Sequence, residues 1–172
     1  NWPFRLVDLN DWPAAEARAE KVIGDLLKRF PHCQYIDLFH ESYDPGAYPP
    51  ELYGSKYVPK DKAFEEREDQ LYQLGLKGAK FIRAKFPQLK IIAGNSGGSL
   101  GIVAVMLRRG FPRDLIDYLG SETTGQTIAP EKLSPHTTAG IWLMAETARK
   151  FGYDIPLTGC YEFTSRAERD LG

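Results

Sequence analysis

The chain has 172 residues, 42% of them hydrophobic, and its 22 basic and 23 acidic side chains leave a formal net charge of −1. That is enough apolar material for one globular domain, or for a fragment of a larger catalytic domain, over residues 1–172. The even charge balance excludes an electrostatic nucleic-acid binder, and no run approaches the ~20 apolar residues of a membrane helix.

Asp11 with Pro13 opens a predicted helix whose apolar stripe is Ala15, Ala19, Val22, Ile23, Leu26, Leu27 and Phe30, stopped by Pro31. A strand follows over Tyr35-Ile-Asp-Leu-Phe-His-Glu41. The irregular stretch 42–60 carries Tyr43, Tyr48, Tyr53 and Tyr57 and is too long for a mere connector. Its aromatic faces suit stacking on sugar C–H surfaces, and they equally suit a loop that buries its own tyrosines. Asp61 caps a long helix from about Lys62 to Phe86, and Pro87 stops it. Lys90-Ile-Ile-Ala-Gly94 reads as a buried strand. Ser99 to Arg109 reads as a helix with Leu100, Val103, Ala104 and Leu107 on one face and Gly110 as its stop. Leu115 to Gly120 is the third expected strand, followed by a polar loop. Ser134-Pro135 then starts a helix striped by Ile141, Met144, Ala145, Ala148 and Phe151, which Gly152 ends. A last strand runs from Asp154 to about Glu162.

The order α-β-α-β-α-β-α-β, with amphipathic helices and near-continuously apolar strands, predicts an α/β fold built on a parallel sheet. Four such strands suit either a doubly wound open sheet or an arc of a barrel. Two of them end in a carboxylate, Glu41 and Glu162, and the carboxyl ends of parallel strands are where α/β barrels place their chemistry. A converging carboxylate pair is what glycosidic hydrolysis needs, one group to protonate the leaving oxygen and one to attack the anomeric carbon. Cys33 and Cys160 show no CxxC and no ligand-like spacing to the three histidines, and read as free buried thiols. Trp2, Trp12 and Trp142 read as packing residues. The chain begins at Asn1, which reads as a processed or excised piece, and its localisation is not legible.

Four segments in order resemble the second half of a clan A glycoside hydrolase, the retaining (β/α)8 TIM-barrel enzymes. Tyr35 to Glu41 is similar to that clan's strand four, which ends in the acid/base glutamate. Ile155-Pro-Leu-Thr-Gly-Cys-Tyr-Glu162-Phe163 is similar to strand seven, which ends in the nucleophile. Lys85 to Gly94 is similar to the helix-four to strand-five crossing, and Leu115 to Gly120 resembles strand six. The resemblance implies that the chain covers about half of a barrel, with the remaining strands supplied by the same polypeptide or another chain. It implies a glycosidase acting on an oligo- or polysaccharide or a glycoside, with Glu41 as acid/base and Glu162 as nucleophile, and with no metal or organic cofactor. His40 stands where the clan has an asparagine that bonds the sugar 2-hydroxyl, and it can donate a similar bond. Asn95, Tyr43 and Glu122 complete the expected substrate contacts, although Glu122 also reads as an exposed loop residue.

Two other classes stand beside this one. Gly94-Asn-Ser-Gly-Gly98 is a G-x-S-x-G sequence between a strand and a helix, the setting of an α/β-hydrolase elbow, with Ser96 as nucleophile. Its base would be His136 and its acid Asp114 or Asp117, but His136 falls in the first turn of a helix rather than in a loop after the last strand. The third class is a non-catalytic, barrel-derived domain that binds carbohydrate.

Overall fold

The computed structural model describes residues 4, 6–38, 62–94, 99–125 and 145–163. Its helices are α1 (Trp12–Arg29), α2 (Lys62–Lys85), α3 (Ser99–Arg108) and α4 over 145–150, with short 3-10 turns at Leu6–Asn10 and Arg113–Leu115. Its strands are β1 (Tyr35–Asp37), β2 (Lys90–Ala93), β3 (Tyr118–Gly125) and β4 (Leu157–Phe163). They form one sheet in the order β1-β2-β3-β4, with every neighbouring pair parallel. The fold is therefore α/β with a parallel sheet, and among the described strands the order never reverses.

The helix ends follow from local chemistry. The Asp11 carboxylate accepts from the Ala14 amide at 3.3 Å, which caps α1. Gly110 and Gly152, with φ of 74° and 75°, close α3 and α4 in the same way. Gly110 N–H donates to the Leu107 carbonyl and Phe111 N–H reaches back to Met106; Gly152 and Tyr153 repeat the pattern on Arg149 and Ala148. These paired bonds satisfy carbonyls that a helix end otherwise leaves open, and a left-handed residue is needed to make them.

Sheet register sorts the strand residues into two faces. Ile91 and Ala93 of β2 and Leu119 of β3 share one face with Leu38, and all four are fully buried. The helices cover this face. Tyr35, Asp37, Ile92 and Tyr118 share the other, where Tyr35 is 49% exposed and the remaining three are half-buried. A consecutive parallel order with right-handed crossovers puts all its helices on one side, which explains the asymmetry.

Packing corrects several expectations. α3 is buried on every side from Val103 to Leu107 rather than along one face, because α2 lies over it. Two ion pairs, Glu68 to Arg108 and Asp69 to Arg109, fasten that layer. On α1 the stripe is only partly covered: Ala15, Ala19 and Ile23 are buried, whereas Val22, Leu26 and Phe30 are exposed. Cys33 is exposed, not buried. Trp12 does pack, stacked on Phe4 with ring centroids 4.8 Å apart.

The third strand is shifted relative to its sequence. Leu115 and Ile116 donate their amides to Pro112 and Arg113 in a 3-10 turn, so β3 starts at Tyr118 and not at Leu115. It then runs on to Gly125 because β4 pairs with it over seven consecutive registers, from Leu119↔Leu157 to Gly125↔Phe163. β4 itself starts three residues later than expected. Pro156 has no amide for a ladder and contributes only its carbonyl, which accepts from Leu119 N–H at 2.9 Å.

Candidate functional site

The carboxyl ends of the strands form one rim of the sheet, and two features of the described residues shape it. The first is a close approach. A Cβ on Gly120 would stand 2.2 Å from the Gly94 carbonyl oxygen and 2.8 Å from Ile92 Cγ2, so only glycine lets the turn after β2 lean over β3. Gly94 itself takes φ of 77°. The chain therefore leaves β2 across its neighbour at the point where Asn95 and Ser96 follow in sequence. Gly120→Ala is expected to destabilise the fold by about 1–3 kcal/mol, the usual cost of forcing atoms into filled space. A urea melt measures it, and an unchanged midpoint would contradict the contact.

The second feature is register. Glu122 pairs with Cys160, and Glu162 pairs with Thr124, so the two glutamates sit on adjacent strands two register positions apart. One strand spacing and two residues of rise put their Cα positions on the order of 8 Å apart. Both positions share the register parity of Tyr118 and Gly120. Glu122 is thus a strand residue, which corrects its reading as part of a loop. The polar run Ser121-Glu-Thr-Thr124 hid this, although its two threonines are β-branched and fit a strand. Glu41, His40, Tyr43, Asn95, Ser96 and His136 lie outside the described residues.

At the opposite, amino end of the sheet lies a charge cluster that the sequence reading did not isolate. Asp117 accepts from Arg83 Nη2 at 2.7 Å, from the Ile91 amide at 2.8 Å and from Lys90 Nζ at 3.3 Å. Burial pushes the Asp117 carboxyl up, but these hydrogen bonds and the Arg83 charge outweigh it and hold the carboxyl below its usual value. The cluster ties α2, β2 and β3 together at one point.

That role conflicts with Asp117 as the acid of a serine triad. Its register partner on β2 is near Ile91, at the end of the strand away from the Gly94 turn, and Asp114 lies further off in the 3-10 turn. A folded carboxyl held low contributes stability above its unfolded pKa, ~3.9, and loses it as pH falls through the folded value. Stability is therefore expected to fall below about pH 4 more steeply in the parent than in Asp117→Asn. At neutral pH that variant should cost about 1–3 kcal/mol. Equal acid slopes in denaturant titrations would contradict the assignment.

Asp37 also escaped the sequence reading. It sits mid-strand in β1, half-buried on the helix-free face and in register with Ile92. The alternation in Tyr35-Ile-Asp-Leu38 was the available signal, since Ile36 and Leu38 belong to the covered face. No group of three or more His, Cys, Asp or Glu side chains suited to a metal ion occurs among the described residues. No described helix is long and apolar enough to cross a membrane. Compared with known protein families, curated proteins and solved structures, the chain matches none.

Proposed function

We propose that the chain is four consecutive strand–helix units of a (β/α)8 barrel and carries the catalytic carboxylates of a retaining glycosidase. The observation that supports this most is the unreversed parallel order β1-β2-β3-β4, with one sheet face fully buried and the other only half-buried among the described residues. A doubly wound sheet reverses its order and carries helices on both faces. A barrel arc does neither, and its helix-free face is the barrel interior.

On this reading the interior face holds Asp37, Tyr118 and the register position of Glu162. Glu41 is an even number of residues beyond Asp37 on the same segment, as strand alternation requires for a shared face. Glu41, kept protonated by a partly apolar setting, donates its proton to the glycosidic oxygen as the bond to the leaving group breaks. Glu162 attacks the anomeric carbon and forms a covalent glycosyl-enzyme. Glu41, now a carboxylate, takes a proton from water, which displaces Glu162 and returns the sugar with its original anomeric configuration. Glu122, next to the nucleophile strand, hydrogen-bonds a sugar hydroxyl or the nucleophile. His40 replaces the usual asparagine as donor to the 2-hydroxyl, with Asn95 and Tyr43 as further contacts.

The test is hydrolysis of a panel of aryl glycosides, with the first-formed anomer read by proton NMR. The reading expects release of the aryl group with retention. Inversion, or no turnover of any member, overturns the mechanism. Binding of oligosaccharide without turnover would point instead to the carbohydrate-binding reading.

A further inference from the structure

The nucleophile of the proposed mechanism must be ionised when it attacks, and a neighbour in the sheet works against that. Glu122 on β3 and Glu162 on β4 have the same register parity and stand two register positions apart. A like charge nearby disfavours the ionised form of a carboxyl group. A group that favours the charged form of Glu162 would offset it.

The register gives that group a position. The pairing of β3 with β4 is unbroken from Leu119↔Leu157 to Gly125↔Phe163, and within it Thr124 is the partner of Glu162. Register partners lie one strand spacing apart, roughly 4.8 Å, whereas the Cα of Glu122 is on the order of 8 Å away. Thr123 has the opposite parity and pairs with Tyr161. The residue type at 124 suits the task. A threonine hydroxyl donates to an ionised carboxylate, and such a bond lowers the carboxyl pKa. Its branched β-carbon restricts χ1, so the hydroxyl is presented in few directions.

We propose that Thr124 is the positioning residue for Glu162, supplying a hydroxyl that keeps the carboxylate ionised against Glu122 and sets the direction of its attack. The role in attack rests on the glycosidase reading, and the pairing with Glu162 rests on the register. The other titratable positions of this parity on the described strands are Tyr35 and Asp37 on β1, Lys90 on β2, Tyr118 on β3 and Cys160 on β4. They are unchanged in the comparison that follows.

Thr124→Val keeps the branched shape and removes the hydroxyl, and Thr124→Ser keeps the hydroxyl. The pH profile of kcat/KM on an aryl glycoside reads the difference. In Thr124→Val the acid limb should move up by about one pH unit and kcat should fall on the order of tenfold, as the loss of one hydrogen bond to a charged group implies. Thr124→Ser should restore both. An acid limb unmoved in Thr124→Val overturns the proposal and leaves the glycosidase reading standing. The Glu162 carboxyl is also titrated directly by carbon-13 NMR, with its signal assigned by its loss in Glu162→Gln. If the parent hydrolyses no glycoside, the glycosidase reading falls and this titration decides the pairing. A midpoint raised in Thr124→Val supports it, and equal midpoints overturn it.

Discussion

If the proposed glycosidase mechanism holds, Glu162→Gln should abolish turnover of aryl glycosides, and Glu41→Gln should lower it by about 10²–10⁴-fold, the usual contribution of a positioned proton donor. The two losses differ in kind. On the proposed mechanism no glycosyl-enzyme forms without Glu162, so even substrates with activated leaving groups should stay intact. Without the Glu41 proton, a nitrophenolate leaving group still departs, because it needs no protonation. Glu41→Gln should therefore retain far more activity on dinitrophenyl than on alkyl glycosides, while Glu162→Gln retains none on either. Equal sensitivity of both variants to the leaving group would remove the distinction between acid and nucleophile. Full activity of Glu162→Gln would remove the mechanism.

Phe111→Ala should destabilise the fold by about 3–5 kcal/mol, the range for truncating a buried aromatic residue. Phe111 is 1% exposed and follows the glycine that closes α3. Its ring meets Tyr72 of α2 edge-on at 5.9 Å, and its carbonyl accepts the Tyr153 hydroxyl at 2.7 Å. One residue thus joins α2, the end of α3 and the turn after α4. Burial, together with the Tyr72 contribution, pushes the Tyr153 hydroxyl pKa up against the opposing Arg113 charge, so this hydrogen bond persists into alkaline solution. Tyr153→Phe removes only the hydroxyl and leaves a carbonyl short of its donor, for an expected loss of about 1–3 kcal/mol. Denaturant titration of both variants checks the order: a smaller loss for Phe111→Ala than for Tyr153→Phe would contradict the packing argument.

How much of this was legible in the chain depends on what kind of signal each residue carries. Helix positions were readable because stop and start signals are local. Gly110 and Gly152 take the left-handed backbone that ends α3 and α4, and Asp11 caps α1, all within one turn of the residue itself. Strand limits were less readable because pairing is not local. β3 extends through Ser121 to Gly125 only because β4 lies beside it, and no residue in that polar run announces its partner. The same holds for Asp117, whose three donors come from residues 83, 90 and 91, distant in sequence. Gly120 looked like a strand terminus, whereas its role is to admit the Gly94 carbonyl.

The α1 stripe is the most instructive difference. Periodicity identified Val22, Leu26 and Phe30 as apolar positions of a buried face, and their spacing is that of one. A pattern in sequence shows which residues seek cover and not what covers them. In the folded chain these three are exposed, as is Leu157. For the candidate site, Glu162 was placed correctly at the far end of a strand, and Glu122 was placed in a loop when it belongs to the strand beside it.

The account turns on the separation of the Glu41 and Glu162 carboxyl groups, measured in a crystal structure of the protein. A retaining pair facing one cleft should stand ~5–5.5 Å apart. A separation beyond ~9.5 Å, or carboxyl groups on different faces, would contradict any two-carboxylate glycosidase mechanism for this chain.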